Sequence, residues 1–441
     1  METTCPPLVE APYVLDPAVT PRPEPRTVVR NRRARSKASV RIAFYSHDTL
    51  GLGHTRRNLL IATSLTRSGL QVDMLLITGT YTASRFALPP GTDCLTLPSL
   101  RKDLDGNYAS RSLDMPLGEL VSLRSEAIWG ALKGFGPDLL VVDNVPRGVA
   151  GELDLSLRKL KKHGRAKCVL GLRDVLDAHD VVRAEWAARN TKRTLETYYD
   201  AVWVYGDPLL HATLPEAERA VAADRLHYLG YFDPLLRLAP DAAISDETQA
   251  ILAWAGGPFV LCMVGGGQDG VHLAQAFLRT RLAGRRGVLL TGPFMHPGAR
   301  QALRSGAAAR DDLLVVDFLE EPLELLPQAD RIISMGGYNS VLEGLACERP
   351  LLVVPRVAPR QEQWIRAERL GQVGLLDVLH PASLGPHALE AWLGREMPPS
   401  TARRRLKFLA HTRLPTAIAD VIGRPLVPRR APPAAAEERE P

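Results

Sequence analysis

Short apolar segments alternate with longer amphipathic segments along most of this chain, and this alternation limits the possible folds more than any other feature. Strand-like segments of the first half are 41–47, 72–78, 139–143, 168–172 and 201–205, and helix-like segments between them are 56–68, 117–133 and 181–199. Strands separated by helices are typical of parallel sheets with helices on both faces. The sequence therefore predicts an α/β fold of doubly wound type.

The same alternation restarts after a break around 236–245, where Pro234 and Pro240 flank a short polar stretch. Strand-like segments of the second half are 259–264, 288–291, 313–318, 331–334 and 351–355. Two units of similar size predict two Rossmann-like domains that face each other across a cleft. Ligands of such sheets bind beyond the carboxyl ends of the strands, so residues that follow strands are the candidates for a functional site.

Composition indicates where the domains begin and end. Residues 1–40 are rich in Pro, Arg and Lys, and residues 425–441 in Pro, Ala and Glu. Such segments lack the apolar content of a packed core. We predict a disordered basic arm at 1–40, domains at 41–238 and 239–396, a helical segment at 397–424 and a disordered tail at 425–441.

Cysteine usage and hydropathy indicate a cytoplasmic protein. The five cysteines are far apart and form no CxxC pair, which excludes a disulfide framework and argues against a zinc site. No stretch approaches the 18 or more apolar residues of a membrane span, and the N-terminus lacks the apolar region of a signal peptide.

Two glycine turns follow predicted strands, one in each half. The first runs from Gly51 through Gly53 to His54, and the second comprises Gly265, Gly266, Gly267 and Gln268. Glycine lets the backbone approach a ligand closely, and a following helix N-terminus favours anions. The second turn predicts a phosphate loop that is not a Walker A motif, because no GK[ST] follows. A plain structural turn remains the alternative in both places.

A third motif combines polar residues in a fixed order at two helix starts. Gly336, Gly337, Asn339, Ser340 and Glu343 follow the strand at 331–334, and Glu362 and Gln363 open the next helical stretch. Asn339 and Ser340 are suitable N-cap residues, so a helix dipole would point at a ligand over the glycine turn. Caps and a solvated surface would explain each residue singly, but not their joint order.

These motifs resemble those of the GT-B glycosyltransferases. The closest resemblance is to family 28 enzymes of the lipid-linked muramyl-peptide N-acetylglucosaminyltransferase type, with a related likeness to UDP-glucosyl- and UDP-glucuronosyltransferases. It runs from about residue 44 to residue 375 and is strongest over 315–367. The resemblance implies an enzyme with an acceptor-side domain at 41–238 and a nucleotide-sugar-binding domain at 239–396.

The resemblance also implies roles for the donor-side residues. The backbone at Phe318 and Leu319 would hold the uracil, and Glu343 the ribose hydroxyls. The turns at 265–268 and 336–340 would hold the diphosphate, and Glu362 and Gln363 the donor sugar. Backbone N–H groups and helix dipoles would neutralise the phosphates, so we expect no metal and no cofactor.

On the acceptor side, the resemblance makes His54 the catalytic base and Asp143 the carboxylate that orients it. A base that is held by a carboxylate can take the proton of an acceptor hydroxyl. His54 could instead contact the diphosphate, and Asp48 or Asp174 could be the base. Arg173 and Asp174 follow a strand and should line the cleft in any case.

Some positions depart from the family pattern. Gly267 stands where a serine is common, and Met335 stands where plant-type enzymes have a histidine. The loop before His54 is also poorer in glycine than in the muramyl-type enzymes.

Retaining enzymes with an E-x7-E pattern would need a glutamate at Met335, so the sequence favours inversion by a single displacement.

Two other functions compete with a hexosyltransferase. A UDP-N-acetylglucosamine 2-epimerase shares the architecture, but such an isomerase needs several carboxylates around the sugar. A non-catalytic nucleotide-sugar binder is the third possibility, with the basic arm engaging nucleic acid or anionic lipid. No aromatic-interleaved basic patch supports nucleic acid as a partner.

The net positive charge of the chain comes from its two ends. The formal charge is +6, whereas 1–41 and 395–441 alone carry +4 and +5, which leaves 42–394 near −3. The basic ends, including Arg403, Arg404, Arg405 and Lys407, could hold the protein against the inner face of an anionic membrane, near a lipid-linked acceptor.

Overall fold

The computed structural model describes residues 39–47, 53–80, 87–102, 108–238, 243–397, 400–406 and 408–429. The strands are β1 Val40–Ser46, β2 Val72–Thr78, β3 Thr92–Thr96, β4 Leu100–Lys102, β5 Tyr108–Ser110, β6 Leu139–Asp143, β7 Lys167–Arg173, β8 Ala201–Tyr205, β9 Leu226–Tyr228, β10 Phe259–Met263, β11 Arg286–Leu290, β12 Leu313–Val316, β13 Arg331–Ser334, β14 Leu351–Val353 and β15 Asp377–Val378. The α-helices are α1 Gly53–Arg67, α2 Leu117–Phe135, α3 Asp154–His163, α4 His179–Ala188, α5 Thr191–Tyr198, α6 Glu216–Ala222, α7 Asp246–Ala255, α8 Val271–Leu278, α9 Pro297–Ala307, α10 Tyr338–Ala346, α11 Glu362–Gln372, α12 Pro386–Leu393, α13 Ala402–Leu406 and α14 Ala410–Ile422.

Two parallel sheets confirm the predicted α/β class. The first has the order β3-β2-β1-β6-β7-β8-β9 and the second the order β12-β11-β10-β13-β14-β15. Every strand pair in both sheets is parallel, and β4 and β5 form a separate antiparallel hairpin. The strand order reverses between β1 and β6 and between β10 and β13, so each sheet has one switch point where a ligand crevice forms.

Several elements differ from the sequence predictions. The predicted helix at 181–199 is two helices, because Asn190 between them adopts a left-handed conformation with φ of 55°. The strands β3, β9 and β15 were not predicted, since they are short edge strands whose residues are partly exposed and form no continuous apolar run.

The C-terminal segment returns to the first sheet. The predicted helical segment at 397–424 contains two helices, α13 and α14, and α14 packs against α1. The predicted tail begins too early, because Val427 accepts a hydrogen bond from the backbone of Gln71 at 2.8 Å and Pro428 forms a β-bridge with Leu70. Residues 430–441 and almost all of the predicted arm lie outside the described residues.

Buried polar contacts join the two sheets. Asp174, directly after β7, binds the guanidinium of Arg366 on α11 at 2.8 Å, and both side chains are at most 4% exposed. Tyr338 on α10 donates a hydrogen bond to the carbonyl of Tyr205 at 2.8 Å. The carboxyl ends of the strands in the two sheets therefore face one crevice. Among the described helices, none has the length and apolarity to span a bilayer.

Removing one charge of the buried pair should be costly. Asp174→Asn leaves the guanidinium of Arg366 buried without its counter-charge, so we expect the free energy of unfolding to fall by roughly 3–5 kcal/mol. Asp154→Asn is the control, because it removes a half-exposed pair with Arg147 and should cost at most about 1 kcal/mol. Urea unfolding measures both variants, and equal losses would contradict a structural role for the Asp174–Arg366 pair.

Candidate active site

A histidine and a buried carboxylate meet at the switch point of the first sheet. His54 is the second residue of α1, which follows β1, and Asp143 ends the neighbouring strand β6. Their Nδ1 and Oδ2 atoms are 2.6 Å apart, with 21% of the His54 side chain exposed and 2% of Asp143. Because an ionised carboxylate only accepts, Nδ1 carries the proton and Nε2 is left to accept one.

Arg57, one turn further along α1, shares the same carboxylate. One of its terminal nitrogens lies 2.5 Å from each oxygen of Asp143. Burial would raise the pKa of Asp143, but the charges of Arg57 and His54 outweigh it and hold that pKa well below the usual range. Asp143 is therefore ionised at neutral pH. Sequence reasoning missed Arg57, although its position three residues after His54 on one helix face was a usable signal.

A second histidine packs behind the pair. His47 directly follows β1, and its ring centroid lies 4.6 Å from that of His54. Burial lowers the pKa of His47 well below its usual value, and the charge of His54 acts in the same direction. His47 therefore stays neutral and does not repel a proton on His54. Sequence reasoning did not select it.

The glycine turn of the second sheet presents open backbone at the other switch point. Gly267 has a φ of 95°, and a Cβ there would lie 2.3 Å from the carbonyl oxygen of Thr291. Only glycine fits that approach. Gly265, Gly266 and Gln268 are exposed, so the turn faces open space as a phosphate loop would.

The helix α10 begins one residue earlier than its predicted caps. Gly337 is the N-cap and makes no side-chain cap bond, so Asn339 and Ser340 lie inside the first turn and the prediction that they are caps is wrong. The N–H groups at the helix start consequently have no side-chain acceptor from a cap. Gly336 needs to be glycine, because a Cβ there would lie 2.9 Å from the backbone of Gln363.

One hydrogen bond joins the two switch points. The Nδ2 atom of Asn339 donates to the carbonyl of Gly53 at 3.1 Å, so the first turns of α10 and α1 are in contact. His54 is the next residue after Gly53. The histidine–carboxylate pair therefore lies beside the N-terminus of α10, which follows Gly336 and Gly337, as expected of a shared cleft.

Glu343 is not a free carboxylate in this structure. It is buried, and its Oε1 accepts a hydrogen bond from Arg237 at 2.8 Å. Burial would raise the pKa of Glu343, but Arg237 and Arg56 lower it, so the carboxylate is ionised. Arg237 also binds both oxygens of Glu321 at 2.8 and 2.9 Å. Sequence reasoning missed this cation, which lies 106 residues away along the chain.

The loop after β12 reaches the same region. Leu319 is buried and Phe318 is partly exposed, and both precede Glu321 in the segment that Arg237 ties to Glu343. The guanidinium of Arg237 thereby connects the segment predicted to hold the uracil with Glu343, which is predicted to hold the ribose.

Glu362 offers an unused acceptor at the start of α11. Its Oε1 accepts from Arg356 at 2.5 Å, whereas its buried Oε2 has no hydrogen-bond partner among the described residues. Arg356 also donates its backbone N–H to Gln363 at 3.1 Å and binds Asp269 at 2.7 Å. A buried unpaired carboxylate oxygen is costly unless a ligand donor meets it.

Of the remaining acceptor-side candidates, Arg173 reaches the crevice and Asp174 does not. Arg173 ends β7 at the crevice edge and is partly exposed. Asp174 is buried and fully engaged by Arg366 and by the backbone of Val175, so it does not present a base to the crevice and that prediction needs correction. Asp48 and Gly51 lie outside the described residues.

Within the described ranges no cluster of three His, Cys, Asp or Glu side chains is placed to hold a metal ion.

The shared carboxylate predicts a pH-dependent effect of Asp143→Asn. Because the folded state lowers the pKa of Asp143, its ionised form contributes stability above the ordinary carboxyl pKa of 3.8, and the contribution is lost as pH falls below it. We expect the difference in unfolding free energy between wild type and variant to shrink as the pH falls from about 5 to about 2. Urea unfolding across this range tests it, and a constant difference would contradict the ionised pair.

Comparisons with known proteins support the fold and the motif resemblance. A scan against protein-family models finds no match. A curated protein of Geobacillus kaustophilus (strain HTA426), UDP-N-acetylglucosamine--N-acetylmuramyl-(pentapeptide) pyrophosphoryl-undecaprenol N-acetylglucosamine transferase, is 25% identical over 186 residues. That match covers 42% of this chain and 50% of the relative, so the chain spans about half the length of the curated protein it matches.

Solved structures match over most of the chain. The calicheamicin glycosyltransferase CalG4 has a TM-score of 0.53 at 17% identity and covers 88% of this chain and 99% of its own. MurG of Acinetobacter baumannii has a TM-score of 0.50 at 14% identity, with 87% and 99% covered. UDP-GlcNAc 2-epimerase of Methanocaldococcus jannaschii has a TM-score of 0.55 at 11% identity, with 86% and 99% covered. This chain therefore has the GT-B fold and resembles the family 28 glycosyltransferases.

Proposed function

We propose that this protein is an inverting, metal-independent glycosyltransferase that moves a hexose from a UDP-sugar, or another nucleotide sugar, to an acceptor hydroxyl. The observation that carries the proposal is the His54–Asp143 pair at one switch point, in contact through Gly53 and Asn339 with the helix that opens the other. A base and an anion-binding helix N-terminus at one crevice are the two parts that such a displacement needs.

The acceptor would be activated at His54. Its Nε2 takes the proton of the acceptor hydroxyl as the oxygen attacks the anomeric carbon. The bond from that carbon to the diphosphate oxygen breaks, and UDP leaves with the electron pair. One displacement inverts the anomeric carbon. Asp143, through its 2.6 Å contact with Nδ1, stabilises the imidazolium that results.

The leaving diphosphate would bind at the glycine turn and at α10. Gly265 and Gly266 expose their backbone, and the first turn of α10 directs N–H groups and its dipole toward the same crevice. Met335 donates its backbone N–H to the carbonyl of Met263 at 3.3 Å, which places the turns after β10 and β13 side by side. These dipoles act on the charge that develops on the phosphates without a metal ion.

The sugar and the ribose would each meet a carboxylate. The unpaired Oε2 of Glu362 can accept a hydroxyl of the donor hexose, with Gln363 beside it. Glu343 can accept from the ribose with its second oxygen while Arg237 keeps the first. Arg237 holds that carboxylate ionised and in a fixed position.

A lipid-linked acceptor is part of the proposal, with the protein at the inner face of an anionic membrane. The matched relative is named as a transferase onto an undecaprenol-linked substrate. Arg404 and Arg405 are exposed on α13, whereas Arg403 binds Asp233 and does not contribute to a free basic surface. The basic surface of α13 is therefore smaller than the sequence implies.

The experiment that tests the function is a product assay. UDP-sugars are incubated with soluble and lipid-linked hydroxyl acceptors in EDTA, and UDP, free sugar and glycosylated product are measured. The proposal expects UDP release that depends on the acceptor, with an inverted product. A donor that is epimerised without acceptor would instead establish the UDP-N-acetylglucosamine 2-epimerase reaction, and loss of turnover in EDTA would contradict metal independence.

His54→Ala should separate catalysis from donor binding. Loss of the base should lower turnover by about 10²-fold or more, while the dissociation constant for UDP stays unchanged. Calorimetric titration with UDP and the transfer assay measure the two properties. His387→Ala is the control, because that histidine is 94% exposed on α12 and should change neither. Turnover that survives in His54→Ala would show that another group is the base.

A further inference from the structure

Arg173, at the edge of the crevice, is a cation that has no partner among the described residues. Its Nε atom is enclosed by protein and has no hydrogen bond, and no hydrogen bond or ion pair joins its guanidinium to a described residue. The side chain as a whole is partly exposed. Burial lowers the pKa of Arg173 to about 10, so the group still carries its charge at neutral pH.

The carboxylates near Arg173 are already bound by other arginines. Asp143 pairs with Arg57, Asp174 with Arg366 and Glu362 with Arg356. Glu362 is the opposite charge that acts most strongly on Arg173, while Arg366 and Arg57 repel it. A cation with an enclosed Nε, two repelling arginines and no described counter-charge bonded to it is unfavourable unless an anion from outside joins it.

The position of Arg173 indicates where that anion would lie. In the parallel register Asp143 pairs with Gly171, so Arg173 extends two residues further toward the crevice on the strand next to the catalytic carboxylate. The next residue, Asp174, binds α11, whose first residue is Glu362. Arg173 therefore lies between the His54–Asp143 pair and the helix that would hold the donor sugar.

We propose that Arg173 forms a binding subsite for a substrate oxyanion, a carboxylate or a phosphate, carried next to the reacting hydroxyl or on the transferred hexose. This inference rests on the proposed function and adds a substrate class to it. A guanidinium matches either oxyanion with two parallel hydrogen bonds. The anion has two chemical sources: the carboxylate of a hexuronic acid donor, or an acidic group on the acceptor.

Binding measurements distinguish the two sources. Wild-type protein is titrated calorimetrically with UDP, UDP-glucose and UDP-glucuronate, and then with inorganic phosphate after saturation with UDP. If Arg173 binds an anion on the donor sugar, we expect UDP-glucuronate to bind at least about 10-fold more tightly than UDP-glucose. If Arg173 binds an anion on the acceptor, we expect phosphate to bind to the UDP-saturated protein, and UDP-glucose and UDP-glucuronate to bind with equal affinity.

Variants then assign the effect to the side chain. Arg173→Gln should abolish whichever anion effect the wild type shows and leave UDP affinity unchanged, and Arg173→Lys should keep part of it because the charge remains. Arg219→Gln is the matched control, since Arg219 is exposed on α6 in the same half of the chain. Should Arg173→Gln fail to fold in a thermal melt, Arg173→Lys decides by a partial loss of the anion effect.

Several results would overturn the proposal. One is wild-type protein that binds UDP-glucuronate no more tightly than UDP-glucose and does not bind phosphate after saturation with UDP. A second is a variant that weakens UDP, UDP-glucose and UDP-glucuronate equally, which would assign Arg173 to the diphosphate. A third is an equal loss in Arg219→Gln. Wild-type protein that does not bind UDP at all would instead contradict the proposed function, so the two failures are distinguishable.

Discussion

The buried ion pair between Asp174 and Arg366 determines how the two sheets meet. Each residue lies next to a functional element, since Asp174 follows Arg173 at the end of β7 and Arg366 lies one turn after Glu362 on α11. Arg366 also donates to the carbonyl of Gly336 at 2.9 Å, within the turn that precedes α10. The guanidinium of Arg366 thus connects the end of β7, the helix α11 and the turn at Gly336 that precedes α10.

Buried carboxylates along this crevice are each paired with an arginine. Asp143, Glu343 and Glu362 are each bonded to an arginine, and burial alone would leave Asp143 and Glu343 hard to ionise. The pairing keeps Asp143 and Glu343 charged with little solvent around them. It also leaves specific atoms for ligands, namely Nε2 of His54 and Oε2 of Glu362.

The sequence predicts the elements of the site better than their partners. Apolar runs and glycine turns mark the strand ends, so the placement of His54, Asp143 and Gly267 at switch points follows from local pattern. The pairs Arg57–Asp143, Arg237–Glu343 and Arg366–Asp174 join residues 86, 106 and 192 positions apart, and no local pattern encodes them. The mistaken caps at Asn339 and Ser340 have the same origin, because the side chain of Asn339 is used in a tertiary bond to Gly53.

The central claim is that His54 faces the acceptor side of a donor bound at α10. A crystal structure of the protein with UDP tests this most directly. The account predicts the diphosphate against the backbone of 265–267 and the first turn of α10, with Nδ1 of His54 still bonded to Asp143 and its Nε2 free of phosphate. A hydrogen bond from His54 to a phosphate oxygen, or UDP bound away from both glycine turns, would contradict it.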